Sequence, residues 1–89
     1  MKLSETVVRM NSLDYKERFI AEYQQLNIRY KKLKEFCNKI EVSHYTSAII
    51  EPEHDCPLEL LREQQHFMGM YLSILEKRAI IENISLDDI

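Results

Sequence analysis

Residues 19–40 read FIAEYQQLNIRYKKLKEFCNKI, and this stretch decides the fold. Its large apolar residues are spaced alternately by four and three positions: Phe19, Tyr23, Leu26, Tyr30, Leu33, Cys37 and Ile40. This heptad places them along one face of an α-helix, as in coiled coils and other helices packed lengthwise. It predicts a helix from about residue 13 to residue 41, with Ser12 or Asp14 as its N-terminal cap.

A second apolar segment predicts a second helix from about residue 57 to residue 84, with Asp55 as its cap and Pro57 in its first turn. Its inner stripe consists of Leu61, Met68, Leu72, Leu75 and Ala79. Its outer stripe, about 100° further round the helix, consists of Leu60, Phe67, Ile74 and Ile81. Because the first helix can cover only one stripe, the outer stripe predicts an interface with copies of this chain or with another protein.

The two helices are joined by a connector, residues 42–56, and preceded by a short N-terminal arm, residues 1–11. We therefore predict a single all-α domain over residues 1–89, built as an antiparallel helical hairpin and completed by oligomerisation into a helical bundle. A hairpin of this length is marginal on its own, which favours oligomerisation. The heptad is short, so an ordinary small helix bundle is the alternative to a true coiled coil.

Composition and charge exclude several classes of protein. The chain is 45% hydrophobic without an apolar run of 18 residues, so we expect no membrane span. Its start lacks the apolar stretch of a signal peptide, and its two cysteines suit the cytoplasm. Residues 1–41 hold nine Lys and Arg against six Asp and Glu, whereas residues 42–89 hold three against nine. The net charge of −3 disfavours binding of nucleic acid polymers.

Antiparallel pairing predicts one cluster that could bind a ligand. If Ile40 lies beside Pro57, Arg18 faces Arg78 at the open end of the hairpin, and Leu26 faces Tyr71. The open end then gathers an aromatic ring and four cations: Arg9, Tyr15, Lys16, Arg18 and Arg78. Guanidinium groups bind phosphate through two parallel hydrogen bonds, and a ring can stack on a base. The alternative is purely structural, with Glu22 pairing Arg78 or Arg18 and Tyr15 covering the helix end.

No residue pattern predicts a metal site, a cofactor site or catalysis. Cys37, His44, His54 and Cys56 have the spacing Cys-x6-His-x9-His-x-Cys, which matches no ordinary zinc pattern. The sequence lacks a glycine-rich phosphate loop, a paired-carboxylate motif and a Ser-His-Asp set. We therefore expect a non-enzymatic protein without cofactors.

Two strings of residues resemble those of known small hairpin proteins. Residues 60–78 read LLxxQxxxMxxYxxxLxxR, and residues 15–26 read YxxRxxxExxxL, with Leu33 following. They resemble helical-hairpin proteins of bacteriophages and prophages, including a crAss-phage-related hairpin family. They are also similar to the hairpin of anti-CBASS and anti-Thoeris sponge proteins. The resemblance covers residues 13–84 and falls mostly on packing positions.

The resemblance implies a non-enzymatic phage anti-defence protein that forms oligomers and sequesters a cyclic nucleotide immune signal in the host cytoplasm. This chain has a longer connector and lacks a counterpart of the sponges' ligand-binding segments, so their binding residues do not carry over. The alternative is a protein-binding inhibitor or adaptor, for example an anti-CRISPR, that binds a host defence protein through the outer stripe. A structural helix bundle without a ligand is the third possibility.

Overall fold

The computed structural model describes residues 1–86 and is helical throughout this range apart from its connections. A 3₁₀ turn, Leu3–Thr6, leads into the single-turn helix α1, Val7–Met10. Two long helices follow, α2 at Tyr15–Ser43 and α3 at Leu58–Ile81. The molecule is elongated, with extents of 49 × 24 × 21 Å, because α2 alone supplies more than half of its length. None of the described helices combines the length and apolarity required to cross a bilayer.

Helix α2 begins where a side chain satisfies its first free amide. The carboxylate of Asp14 accepts the N–H of Lys16 at 2.9 Å, so Asp14 rather than Ser12 is the cap. The Ser12 hydroxyl instead accepts the N–H of Asp14 at 3.1 Å and fixes the turn before the helix. The helix continues to Ser43, slightly beyond the predicted end at residue 41.

Helix α3 begins and ends at backbone features rather than at side-chain caps. Pro57 is its N-cap residue and makes no side-chain capping bond, so the predicted cap at Asp55 is wrong. At the other end Asn83 adopts a positive φ of 56°. This allows the N–H of Ile84 to reach the carbonyl of Ala79 at 2.8 Å, the Schellman arrangement that terminates helices. The helix therefore ends at Ile81, before the predicted end at residue 84.

The two long helices run antiparallel as predicted. At the closed end, Arg62 of α3 donates to Glu41 at 2.5 Å and to Asn38 at 3.0 Å, both on α2. At the open end, Arg78 near the end of α3 contacts Tyr15, the first residue of α2. The connector between the helices contains no further helix.

The inner faces of the hairpin form the core. All seven heptad residues of α2 are buried or half-buried, with Phe19, Cys37 and Ile40 the most enclosed. On α3 the inner stripe lies inward, and Leu75 and Ala79 pack with Phe19 and Ile84 in one cluster. The outer stripe is open to solvent, from 54% exposure at Leu60 to 83% at Ile81. The predicted division of α3 into two faces is confirmed, whereas completion by oligomerisation stays a prediction.

The N-terminal arm covers the side of α2 that faces away from α3. Thr6 is fully buried, and its hydroxyl donates to the Leu3 carbonyl and accepts from the Gln25 amide, each at 2.7 Å. Val8, by contrast, is 83% exposed. The arm therefore docks through a buried threonine and not through the valines that make it apolar.

Candidate ligand-binding site

The open end of the hairpin carries a closed triad of Tyr15, Arg78 and Glu82. The Arg78 Nη2 donates to the Tyr15 hydroxyl at 2.5 Å, and its Nε donates to Glu82 at 3.0 Å. The Tyr15 hydroxyl in turn donates to the other Glu82 oxygen at 2.9 Å. The two helices position these groups. Tyr15 is the first residue of α2, and Arg78 and Glu82 lie one turn apart at the end of α3.

The Phe19 ring lies against both Arg78 and Tyr15 of the triad. The Arg78 guanidinium is stacked over the Phe19 ring at 5.0 Å from its centroid, within the range of a cation–π contact. Tyr15 packs against the same ring, with centroids 6.2 Å apart and planes inclined at 55°. Phe19 itself is buried in the core, so the arginine is held over a fixed surface. A flat cation beside an exposed phenol is suited to phosphate and to an aromatic ring.

Electrostatics in the triad favour the ionised forms of Arg78 and Glu82. The hydrogen bond from Tyr15, followed by that from Arg78, lowers the pKa of Glu82. The hydrogen bond to Glu82 and partial desolvation raise the pKa of Tyr15, so its hydroxyl keeps its proton. The bond to Glu82 likewise raises the pKa of Arg78. In the free protein, Glu82 thus occupies the position of an anion bound to the arginine.

The five predicted ligand-binding residues fall into three groups. Tyr15 and Arg78 are in direct contact, and Lys16 lies near enough to Glu82 to contribute to the lowered pKa of that carboxyl. Arg9 forms an ion pair with Glu17 at 3.0 Å. Arg18 donates to the Ser12 carbonyl at 2.9 Å, and its predicted position opposite Arg78 stays a prediction. The role of all five in binding a ligand stays a prediction.

Two acidic residues complete the site. Glu82 follows Arg78 by four positions, and this spacing brings opposite charges together on a helix. The ion pair could therefore have been predicted from the sequence. Glu22 accepts a hydrogen bond from the Tyr71 hydroxyl, which raises the pKa of that phenol. The predicted partner of Tyr71 was Leu26, one turn further along α2, because numbering alone does not specify how helices cross.

The histidines and cysteines lie apart from this site. Cys37 is buried in α2, whereas Cys56 is exposed. His44 contacts Glu51 within the connector, and a ring nitrogen of His54 lies 2.6 Å from the Cys56 carbonyl. Over residues 1–86, no three His, Cys, Asp or Glu side chains come together as metal ligands would.

Fold and site together define a small helical hairpin whose open end presents a cation–aromatic cluster. The Sequestin family model matches residues 13–81, which cover α2 and α3 completely. The chain therefore belongs to the Sequestin family. The family name suggests a protein that binds and sequesters rather than an enzyme. No curated protein and no solved structure matches the chain significantly.

Proposed function

We propose that this chain is a non-enzymatic phage anti-defence protein that forms oligomers and sequesters a cyclic nucleotide immune signal in the host cytoplasm. The observation that carries this proposal is the Sequestin match over residues 13–81, because a family named for sequestration covers the whole hairpin. The sponge-like hairpin motifs in residues 15–26 and 60–78 support the same class of activity.

The triad at the open end supplies a binding mechanism. A ligand phosphate takes the place of the Glu82 carboxylate as the acceptor for Arg78 and Tyr15, and Lys16 adds a second cation nearby. A base of the ligand stacks beside Tyr15. Because Glu82 holds the guanidinium in position before the ligand arrives, the ordering of the long side chain costs little at binding. Arg9 and Arg18 exchange their present partners for the ligand in an assembled oligomer.

The outer stripe of α3 supports oligomerisation with other copies of this chain. Leu60, Phe67, Ile74 and Ile81 are each more than half exposed, which is unusual for four apolar residues in one row. Charge favours the same occupant, because the basic first half of one copy attracts the acidic second half of another. Burial of this row in a homo-oligomer is the simplest way to remove it from water.

The test of this function is a thermal-shift screen against cyclic dinucleotides, cyclic trinucleotides and cyclic ADP-ribose isomers. A ligand at 100 times its Kd stabilises the folded state by about 2.7 kcal/mol, which moves the melting temperature of a domain this small by several degrees. The ligand is then recovered from the heat-denatured complex and examined by mass spectrometry. Sequestration predicts release of the unchanged ligand, whereas a cleaved product contradicts it.

Site variants assign the binding residues. Arg78→Met should weaken binding of the ligand found in the screen at least tenfold, because it removes the guanidinium that donates charge-assisted hydrogen bonds to the phosphate in this mechanism. Arg18→Glu should abolish binding by placing a carboxylate against the phosphate. Lys77→Met removes the neighbouring exposed cation and serves as the matched control. Undiminished calorimetric affinity in both site variants would exclude this site.

The second candidate is a protein-binding inhibitor or adaptor. Its supporting observation is the connector, where Tyr45 is 80% and Ile50 is 90% exposed. Such apolar side chains suit a complementary groove on a host defence protein. Absence of any ligand shift, together with specific capture of one host protein by the wild type and not by Phe67→Asp, would favour this candidate.

A further inference from the structure

The outer stripe of α3 repeats at a fixed interval. Leu60, Phe67, Ile74 and Ile81 follow one another every seven residues, so the stripe has the same spacing when read from either end of the helix. From its first to its last residue it covers about 32 Å of helix. Such a row can pack lengthwise against the same row of a second copy, in a parallel or an antiparallel orientation. Apolarity alone does not decide between the two orientations.

The residues beside the stripe differ on its two sides. The first flank lies three positions after the first three residues of the stripe and consists of Glu63, Met70 and Lys77. The second flank lies four positions after the same residues and consists of Gln64, Tyr71 and Arg78. All six side chains are exposed. Glu63 and Lys77 make no ion pair within residues 1–86, so both charges are available to a partner.

A parallel pair of α3 helices would bring unlike flanks together at the same level. Lys77 would lie beside the partner subunit's Arg78, and the two-fold axis would repeat this like-charge contact on the other side. Glu63 would lie beside the partner subunit's Gln64 and gain no cation. Parallel packing therefore adds two repulsive contacts and no attractive one.

An antiparallel pair brings each flank against the same flank of the partner, in reversed order. With the axis at the midpoint of the stripe, Glu63 lies beside the partner subunit's Lys77 in two symmetric contacts. Met70 and Tyr71 each lie beside their own counterpart, close to the axis. The Tyr71 hydroxyl already donates to Glu22, so burial of its ring leaves no hydroxyl without an acceptor. Charge therefore selects the antiparallel orientation, and the central side chains are compatible with burial.

We infer that two copies of this chain pack through α3 in antiparallel orientation, with a two-fold axis between Phe67 and Ile74. This inference rests on the oligomerisation proposed for this chain and adds the orientation of the partner. The two open ends then point in opposite directions, with the two Arg78 residues about 22 Å apart along the helix axis. The partner subunit's Gln64 lies at the level of Arg78, so both copies contribute to each open end.

A short thiol crosslinker tests the orientation in a chain that carries Leu60→Cys, Ile81→Cys and Cys56→Ser. The last change removes the exposed native thiol, and Cys37 stays out of reach because it is buried. Mass spectrometry of the digested product identifies the joined positions. We expect a link between positions 60 and 81, which has to join two copies because about 32 Å of helix separates them within one chain. Links that join position 60 to 60 and position 81 to 81 would overturn the inference.

Charge reversal provides an independent test that leaves the apolar row intact. Lys77→Glu should weaken dimerisation about tenfold at low salt, because it places a carboxylate beside the partner subunit's Glu63. Adding Glu63→Lys should restore the wild-type Kd, as measured by sedimentation equilibrium. Glu76→Lys alters an exposed charge on another face of α3 and should leave the Kd unchanged. Parallel packing predicts the opposite sign, so tighter dimerisation of Lys77→Glu would overturn the inference.

Failure of this arrangement can be told apart from failure of the proposed function. A monomeric wild type would overturn the arrangement together with the proposed oligomer, whereas an oligomer without a link between positions 60 and 81 would overturn the arrangement alone. If the cysteine variant dissociates, the charge reversal decides, and a Kd that the second substitution does not restore would overturn the arrangement. A negative cyclic-nucleotide screen would leave the arrangement intact, because neither of its tests uses a ligand.

Discussion

Glu82 holds the triad at the open end of the hairpin together. Its carboxylate neutralises Arg78, which would otherwise be a surface cation without an anionic partner in the triad. Its carboxylate accepts from both Arg78 and Tyr15, and both bonds lower its pKa. A carboxyl whose pKa is lower in the folded than in the unfolded state stabilises the fold above the unfolded pKa. That contribution disappears as pH falls through the folded pKa. The stability of this end should therefore decline in mild acid.

Glu82→Gln tests this dependence. At pH 7 the variant should unfold at lower urea concentration than the wild type, because Arg78 and Tyr15 lose a charged acceptor. The difference should shrink between about pH 5 and pH 3, as the wild-type carboxylate takes up its proton. Urea titrations at fixed protein concentration at pH 7, 5 and 3 measure it.

The control for this experiment is Glu63→Gln, which alters an exposed glutamate elsewhere on α3. It should show a much smaller difference from the wild type at pH 7. A difference for Glu82→Gln that stays constant from pH 7 to pH 3 would contradict the assigned hydrogen bonds.

Single residues were also the hardest to predict. Burial of Gln24 depends on where the N-terminal arm docks, and the docking contact is the polar pair of Thr6 and Gln25 rather than any apolar pattern. Arg62 bonds to Glu41 and Asn38, which lie more than twenty positions away, so no local spacing predicts these contacts. Only local pairs such as Arg78 and Glu82 can be recognised from spacing.

At the scale of helices, the end of α3 is specified by one residue. Asn83 has φ of 56°, a conformation that asparagine tolerates and that β-branched residues do not. The turn carries Ile84 back onto Ala79 and Phe19, so the helix end and the core are fixed together. The prediction of a helix to residue 84 missed this signal because the apolar pattern continues through Ile84.

Two substitutions at Asn83 should change the free energy of unfolding differently. Asn83→Val should destabilise the fold by about 1–2 kcal/mol, because the branched Cβ clashes in the left-handed region. Asn83→Gly should be neutral or slightly stabilising, because glycine adopts this conformation freely. Chemical denaturation of both variants measures the contrast, and equal stabilities would show that the turn does not require a positive φ.

The buried faces of the helices could be predicted from the sequence, whereas the residues at which the helices end could not. The heptad of α2 and the inner stripe of α3 lie inward as their spacing requires, because burial follows the 3.6-residue period whatever the local capping. Gly69 shows what the pattern omits. A Cβ there would lie 3.3 Å from the Tyr30 ring, so glycine lets an aromatic residue of the heptad lie close against α3.

At the scale of the whole molecule, one hairpin leaves a full apolar row uncovered. The core contains few fully buried large side chains, whereas the outer stripe exposes four apolar residues. An 89-residue chain with so small a core gains more from association than from further internal packing. The assembled protein should accordingly be considerably more stable than the separate chain, with a melting temperature that rises with protein concentration.

Phe67→Asp tests the association. The substitution removes an apolar contact of about 2–3 kcal/mol and places a charge in the interface, so the oligomer should dissociate at micromolar concentration. Size-exclusion chromatography with light scattering gives the mass directly. Ser73→Asp adds the same charge to another face of α3 and should leave the mass unchanged. A monomeric wild type would refute the role given to the outer stripe.

The two cysteines differ in accessibility, and this difference makes separation of α2 from α3 measurable. Cys56 is exposed beside the start of α3, whereas Cys37 has no accessible surface on the inner face of α2. A thiol reagent therefore labels Cys56 in the folded protein, whereas it labels Cys37 only when the two helices separate. The labelling rate of Cys37 at increasing reagent concentration reports the opening frequency of the helix pair, without any engineered probe.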